Sequence, residues 1–324
     1  MNRILGILGL LVAVYFATWY FQQGEGFMSA FNQTNLIRRI VPFAIISIGV
    51  SFVIITGGID LSIGSVICLL GLSIPYLAVE RGLPLPLVLV IIATTAVAIG
   101  LAHGLLITKL DLPPFVVTLC GLLIYRGLMR SIDDQGGGFE GQYEGFRQIV
   151  TGELPVAGGF GIPWSFFILL VVGIAAAIFL NKTIWGRYLL ALGNNAEAAR
   201  LSGVNVDRLT IVAYVICALL AALGGILMIC DDGSGKPVNY GNFLELWAIA
   251  GAVLGGCSLR GGSGTILGAV IGAALMIMLR NMINLVFPGR SYLEFLVIGI
   301  VLLVGVILDE VVRKAVARRR KVVA

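Results

Sequence analysis

The chain has 324 residues, 59% of them hydrophobic and 12% charged, with 22 Lys and Arg against 17 Asp and Glu for a formal net charge of +5. No soluble domain uses so much apolar surface, because its outer face must be wetted, so the composition excludes a soluble globular protein and points to an all-α polytopic membrane protein. The positive excess lies largely in a tail, Arg313 to Lys321, that directly follows an apolar run; this placement fits anchoring at an anionic membrane leaflet and not a nucleic-acid patch.

Apolar runs recur at about the length needed to cross ~30 Å of hydrocarbon. In chain order the predicted spans are 4–21, 40–57, 62–80, 86–108, 114–131, 163–181, 209–230, 244–258, 263–286 and 292–310, about ten transmembrane helices in a single domain over 1–324. The first run continues through Trp19, Tyr20 and Phe21 with no small-residue cleavage site after it, so it is a membrane helix and not a cleaved signal. Arg38 and Arg39 precede the second span on the side that alternation makes external. Either an interfacial helix covers 28–39 or the second helix starts earlier.

The turn Thr56-Gly57-Gly58-Ile59-Asp60-Leu61-Ser62-Ile63-Gly64-Ser65 interrupts two apolar runs with glycines, a carboxylate and hydroxyls. Irregular backbone at membrane depth persists only where protein or a water-filled cavity satisfies it. Asp60 and Ser62 either cap the helix that follows or line a pathway. His103, the single histidine, lies in Gly100-x-x-x-Gly104, where packing or hydrogen bonding is expected. The cysteines Cys68, Cys120, Cys217, Cys230 and Cys257 lie in or beside apolar runs without paired spacing, as packing thiols do, with no metal site.

The loop 132–162 carries Asp133, Asp134, Glu140, Glu144 and Glu153 against Arg147 alone, whereas 182–208 carries Lys182, Arg187, Arg200 and Arg208. The positive-inside bias therefore puts 132–162 outside, and 182–208, the tail 311–324 and both termini in the cytoplasm. Within 182–208 lies a polar island that punctuates its own helix. Asn194 and Asn195 offer cap oxygens, Glu197 suits the first turn, Arg200 the last, and Gly203 can end it. A short surface helix tied to a membrane helix at each end can pass a push from outside the bilayer into it.

A second break, Gly255-Gly256-Cys257-Ser258-Leu259-Arg260-Gly261-Gly262-Ser263-Gly264, repeats the pattern of the first. Around it, Gly251-x-x-x-Gly255 and Gly264-x-x-x-Gly268-x-x-x-Gly272 form small-residue stripes. Such stripes let helix backbones approach closely, either inside the bundle or between subunits. Arg126, Glu245, Arg280, Asn281, Asn284 and Glu294 lie in apolar surroundings and must avoid lipid. Asn281 and Asn284 share one helical face suited to hydrogen-bonding hydroxyl groups, while Arg280 is expected to snorkel to the outer boundary. The pathway candidates are thus Asp60, Ser62, Glu245, Asn281 and Asn284. Few carboxylates lie within the spans, which suits a neutral, polyhydroxylated solute better than ion coupling. No phosphate-binding loop, metalloprotease motif or Ser/His/Asp set is present, so the chain is expected not to be an enzyme, and any ATP must bind another chain.

Three segments together resemble the permeases of bacterial ABC importers for monosaccharides, the ribose/xylose/galactose-type family. They are Gly58-Ile59-Asp60-Leu61-Ser62-Ile63-Gly64-Ser65; Gly186-Arg187 through Leu192-Gly193-Asn194 and Ala198-Ala199-Arg200-Leu201-Ser202-Gly203-Val204-Asn205-Val206; and Glu245 with Ala248-Ile249-Ala250, Leu254-Gly255-Gly256, Gly261-Gly262 and Gly264. The likeness runs from about 30 to 310. It implies a type II-like permease bundle in the bacterial inner membrane, used as a dimer (homodimer or heterodimer). It also implies an ATPase, with two fused nucleotide-binding domains, docking on Asn195, Glu197, Ala198, Ala199, Arg200, Ser202 and Gly203. ATP and magnesium would sit on that partner, and an external binding protein would deliver the sugar. Other solutes, a branched-chain amino acid or a nucleoside, and an ion-coupled carrier are the alternatives. The runs Asp133-Asp134-Gln135-Gly136-Gly137-Gly138 and Cys230-Asp231-Asp232-Gly233-Ser234-Gly235-Lys236-Pro237 depart from the family pattern and are expected to be variable loops.

Overall fold

The computed structural model describes residues 2–22, 26–290, 292–297, 299–300, 303–304 and 307. Among the described residues, eight helices are long and apolar enough to cross a bilayer: α1 (Asn2–Phe21), α2 (Ala30–Ile55), α3 (Ile63–Pro75, continued by a π-helical turn Tyr76–Glu80), α4 (Leu85–Lys109), α5 (Pro114–Ile132), α7 (Trp164–Lys182), α10 (Val206–Asp232) and α12 (Ile266–Val286). Short helices α6 (Glu144–Thr151), α8 (Ile184–Asn194) and α9 (Ala196–Leu201) lie in the connections, and α11 (Leu244–Leu254) is apolar but only 11 residues long. The predicted span 244–258 is therefore a partial one. The predicted span 292–310 lies largely outside the described residues, and the basic tail entirely so.

α2 is the axis of the bundle. It packs against α7, α10, α11 and α12, and 78% of its most apolar 18-residue window is buried, against 6% for α1 at the periphery. Hydropathy does not separate the two, because a lipid tail is as apolar as a neighbouring leucine. The helix begins at Ala30, so Arg38 and Arg39 belong to it and no separate interfacial helix precedes it. Arg38 meets Glu153, and Asp231 at 3.8 Å, at one end of the bundle.

Small residues set the closest contacts. Gly100 and Gly104 of α4 lie against α10 beside Val215 and Ile211. The Gly251/Gly255 and Gly268/Gly272 stripes face one another across α11 and α12: a Cβ on Gly251 would come within 3.1 Å of the Ala273 Cα. The stripes are thus used inside one chain, where dispersion between close backbones holds helices that the hydrophobic effect cannot. Of the cysteines, Cys68, Cys217, Cys230 and Cys257 are buried thiols, but Cys120 lies on the exposed face of α5.

The two departing loops are ordered and meet. β1 (Gly137–Gly138) pairs antiparallel with β4 (Ser234–Gly235), while β2 (Glu153–Ala157) and β3 (Phe160–Pro163) form a hairpin beside the start of α2. Thr34 Oγ1 on α2 donates to the Gly161 carbonyl at 3.0 Å. These elements cover the end of the bundle opposite α9.

Candidate functional site

At one end the polypeptide builds an exposed lever. Asn195 takes an extended backbone (φ −160°, ψ 102°), and its Oδ1 accepts from the Ala198 N–H at 2.9 Å, so it is the N-cap of α9. Glu197 occupies the first turn and Arg200 the last, each placed favourably for the helix dipole. Ser202 Oγ donates to the Ala198 carbonyl at 2.9 Å, and Gly203 (φ +83°) reverses the chain where a side chain would be strained. Ala199 faces inward, whereas Leu201 is 84% exposed, a large apolar side chain at the tip. Arg200 reaches Asp207 at 3.5 Å, and Asp207 also holds Lys109 at 2.6 Å, tying α9 to α10 and α4.

Asn194 does not cap this helix. Its Nδ2 donates to Leu190 O at 2.7 Å and to Gly262 O at 3.0 Å, while the Gly262 N–H donates to Ile55 O at 2.9 Å. Gly193 lies so close that a Cβ there would collide with Ile55 O and the Gly262 N. The lever is therefore bolted to both glycine breaks at once, the end of α2 and the turn between α11 and α12.

The Gly58–Ser65 break is closed and satisfied from within. Asp60 and Ser62 are buried; Asp60 Oδ1 accepts from the Ser62 N–H at 2.9 Å and from Ser62 Oγ at 2.6 Å. The Ile59 carbonyl accepts from Thr118 Oγ1 at 3.2 Å and Tyr214 Oη at 3.4 Å. His103 is buried behind it and shares a 2.9 Å hydrogen bond with Tyr125 Oη, the packing and hydrogen-bonding role its glycine-flanked position suggested.

At the opposite end, residues 236–243 form a strap of irregular backbone that enters the bundle. Gly235 lies against Leu72, and Gly241 (φ +74°) lies against Gly64, with no room for a Cβ on either glycine of that second contact. The eight positions between Leu72 and Gly64 correspond to a descent of about 12 Å along α3. Carbonyls stranded at that depth need donors. Arg126 supplies them: its Nη1 donates to Pro237 O and Tyr240 O, both at 3.0 Å. Glu245, in the first turn of α11, is buried beside Gly64.

The strap, α2, the end of α10, α11 and α12 enclose a cavity of about 710 Å³, within the range of small-molecule sites (roughly 300–1,000 Å³). Six carboxamides line it: Asn32, Asn35, Asn239, Asn242, Asn281 and Asn284. Phe43 and Trp247 meet edge to face at its inner end, centroids 6.5 Å apart. Asn281 Nδ2 donates to Asn32 Oδ1 at 3.0 Å, and Asn281 Oδ1 is buried with no partner among the described residues; such an orphan costs about 1–3 kcal/mol until something donates to it. Arg280 also lines the cavity, pairs with Glu294 at 3.1 Å and lies 5.9 Å from the Trp247 ring centroid.

Of the five pathway candidates, the structure thus places Asn281 and Asn284 on the cavity wall, and Asp60, Ser62 and Glu245 in closed packing away from it. Asn32, Asn35, Asn239, Asn242 and Trp247 went unmarked in the sequence. The asparagines' signal was their density near predicted helix ends, which turn and cap chemistry already accounts for, and Trp247 gave none.

Residues 32–306 match the family described as "Branched-chain amino acid transport system / permease component". The chain belongs to this permease family. The permease is 35% identical over 285 residues to the ribose import permease protein RbsC of Escherichia coli (strain K12), covering 87% of each chain. It is 33% identical to the RbsC of Bacillus subtilis (strain 168), over 95% of this chain and 93% of that one. To the xylose transport system permease protein XylH of Escherichia coli (strain K12) it is 29% identical, over 95% and 91%. No solved structure matches the chain significantly. The permease is an integral membrane protein of the sugar-importer kind that the motifs suggested.

Proposed function

We propose that this permease is the translocation subunit of an ATP-driven importer that carries a monosaccharide into the cytoplasm, with hydrolysis on a separate ATPase and delivery by an external binding protein. The observation that carries the reading is the capped, exposed α9 joined rigidly to both membrane breaks. A helix of that kind has a use only if another body pushes it. Leu201 and Arg200 form its contact face, and two fused nucleotide-binding domains would serve two permease copies. The bundle is assigned as type II-like with about ten spans, α11 and residues 292–310 completing the eight long helices. It lies in the inner membrane with both termini cytoplasmic. Ribose and xylose permeases among the relatives favour a sugar over the branched-chain amino acid of the family's title.

ATP-driven closure of the motor would move α9, and the elements bolted to it would rock between two packed states, opening the cavity to alternate sides. The permease reconstituted with its ATPase and binding protein should accumulate labelled ribose or xylose when ATP is supplied. Arg200→Glu should reduce that uptake by about tenfold or more while ATP hydrolysis continues, since it reverses the charge on the exposed face and breaks the pair with Asp207 that ties α9 to α10. Accumulation by the permease alone, driven by an ion gradient, would replace this reading with that of a secondary carrier.

A further inference from the structure

The glycine breaks and the lever account for how a push could arrive; they leave the asparagine-lined cavity and Arg126 without a task. We propose that the cavity is a binding site for a single neutral, polyhydroxylated ring, and that Arg126 is the positioning residue that holds one wall of it in place. The inference rests on the importer reading and goes further, giving the membrane subunit solute selectivity of its own.

The chemistry of the wall selects the ligand. Each carboxamide presents two donors and one acceptor, which matches hydroxyls that both give and take hydrogen bonds. Asn281 and Asn284, three residues apart on α12, offer a paired row, and the buried Asn281 Oδ1 is an acceptor already desolvated and unused among the described residues. Trp247 supplies an apolar face at the inner end for the C–H side of a sugar ring. Two cations, Arg39 and Arg280, and three carboxylates, Asp231, Asp232 and Glu294, line the wall. Arg280 is paired with Glu294 at 3.1 Å, and Asp231 meets Arg38 at 3.8 Å. Arg39 and Asp232 add one charge of each sign. An amino acid would have to engage Arg39 and Asp232 together, and an anionic sugar Arg39. A neutral polyol needs neither.

The wall depends on the strap. Asn239 and Asn242 belong to the segment 236–243, whose backbone is irregular at membrane depth. The two hydrogen bonds from Arg126 Nη1 reach Pro237 O and Tyr240 O in its first half, on either side of Asn239 and two residues before Asn242, so the guanidinium sets where the carboxamides stand without touching the solute. Lysine at that position can reach with one ammonium and keep part of the restraint; glutamine cannot.

The test uses the full-length permease in lipid nanodiscs, with tritiated D-ribose, D-xylose and L-leucine as probes, and hydrogen exchange on the same samples. At least one of the two sugars should bind saturably, and leucine should neither bind nor displace it. Asn281→Ala and Asn284→Ala should each weaken sugar binding by about tenfold, the equivalent of one lost hydrogen bond of ~1.4 kcal/mol. Arg126→Gln should weaken it as much, with faster exchange confined to 236–243 while α2 and α10 stay protected, and Arg126→Lys should recover part of the binding. If Arg126→Gln does not fold, Arg126→Lys carries the same test through a smaller rise in exchange over 236–243. Sugar affinity unchanged in both asparagine variants, leucine binding in place of sugar, or unaltered exchange of the strap in the Arg126 variants would overturn the proposal. So would a wild-type permease that binds neither sugar although its complex with ATPase and binding protein imports one; that outcome leaves the importer reading standing. A complex that imports neither sugar would remove the importer reading itself.

Discussion

Asp60 is a carboxylate in the middle of an apolar bundle, and its partners decide what it is for. Its Oδ1 takes both the N–H and the hydroxyl of Ser62, at 2.9 and 2.6 Å, just before α3 begins, and it does not reach the cavity. Sequence position alone left a cap and a pathway lining equally open; the contacts close a local turn onto Ser62, itself the N-cap of α3, which makes no side-chain cap bond. Asp60→Asn keeps an acceptor in place, so its melting temperature in detergent and its uptake should stay close to wild type. Asp60→Ala strands the Ser62 N–H in a dry site, an expected loss of about 1–3 kcal/mol visible as a lower melting temperature. Asn281 and Arg126 are the converse cases. Both stand out in the sequence as polar groups that must avoid lipid, but nothing local says that one faces a cavity and the other a run of stranded carbonyls.

Among the elements, α9 was the most legible, because its stop and start signals are local chemistry. Asn195, Glu197, Arg200 and Gly203 perform the capping and terminating roles their types imply, and the helix runs Ala196–Leu201 as those residues demand. Asn194 is the exception, drawn away by Gly262 O, a partner 68 residues distant. Leu201, largely exposed at the tip, gives the element its own test. Leu201→Asp should leave the melting temperature of the permease unchanged, since almost none of the side chain is buried, yet reduce ATPase-subunit capture in a pull-down by about tenfold. α11 was the least legible. Its apolar run continues smoothly into the turn after it, so composition suggested a longer span, while the strap before it is too polar to be assigned to the membrane at all. What holds the strap in place is a hydrogen-bond donor on α5 and a backbone contact with α3, neither of which leaves a trace in residues 236–243.

Over the whole molecule, cations outnumber carboxylates at the α9 end, while at the other end Arg38, Arg130 and Arg147 are paired with carboxylates. Lys109, Arg187, Arg200, Arg208 and Arg260 belong to the α9 end, and Asp134, Glu140, Glu144 and Glu153 to the end covered by β1–β4 and the β2–β3 hairpin. On the positive-inside bias, α9 is expected to face the cytoplasm. In intact cells, a membrane-impermeant maleimide should modify Glu140→Cys and spare Leu201→Cys, with both modified once the membrane is broken; the reverse pattern in intact cells would invert the topology. The native Cys120, exposed on α5 and facing lipid in this orientation, calls for a Cys120→Ser background.

Membrane class, the places where helices break, the outline of the lever and the family resemblance came from the residues alone, because hydrocarbon thickness, backbone polarity and capping chemistry act over a few residues at a time. Tertiary structure decided which apolar faces are protein and which are lipid, that the glycine stripes close on each other, that Gly193 bolts the lever to both breaks, and that six scattered asparagines surround one cavity. Those outcomes are pairings between segments tens to hundreds of residues apart. In a chain this uniformly apolar, no local pattern distinguishes one such partner from another.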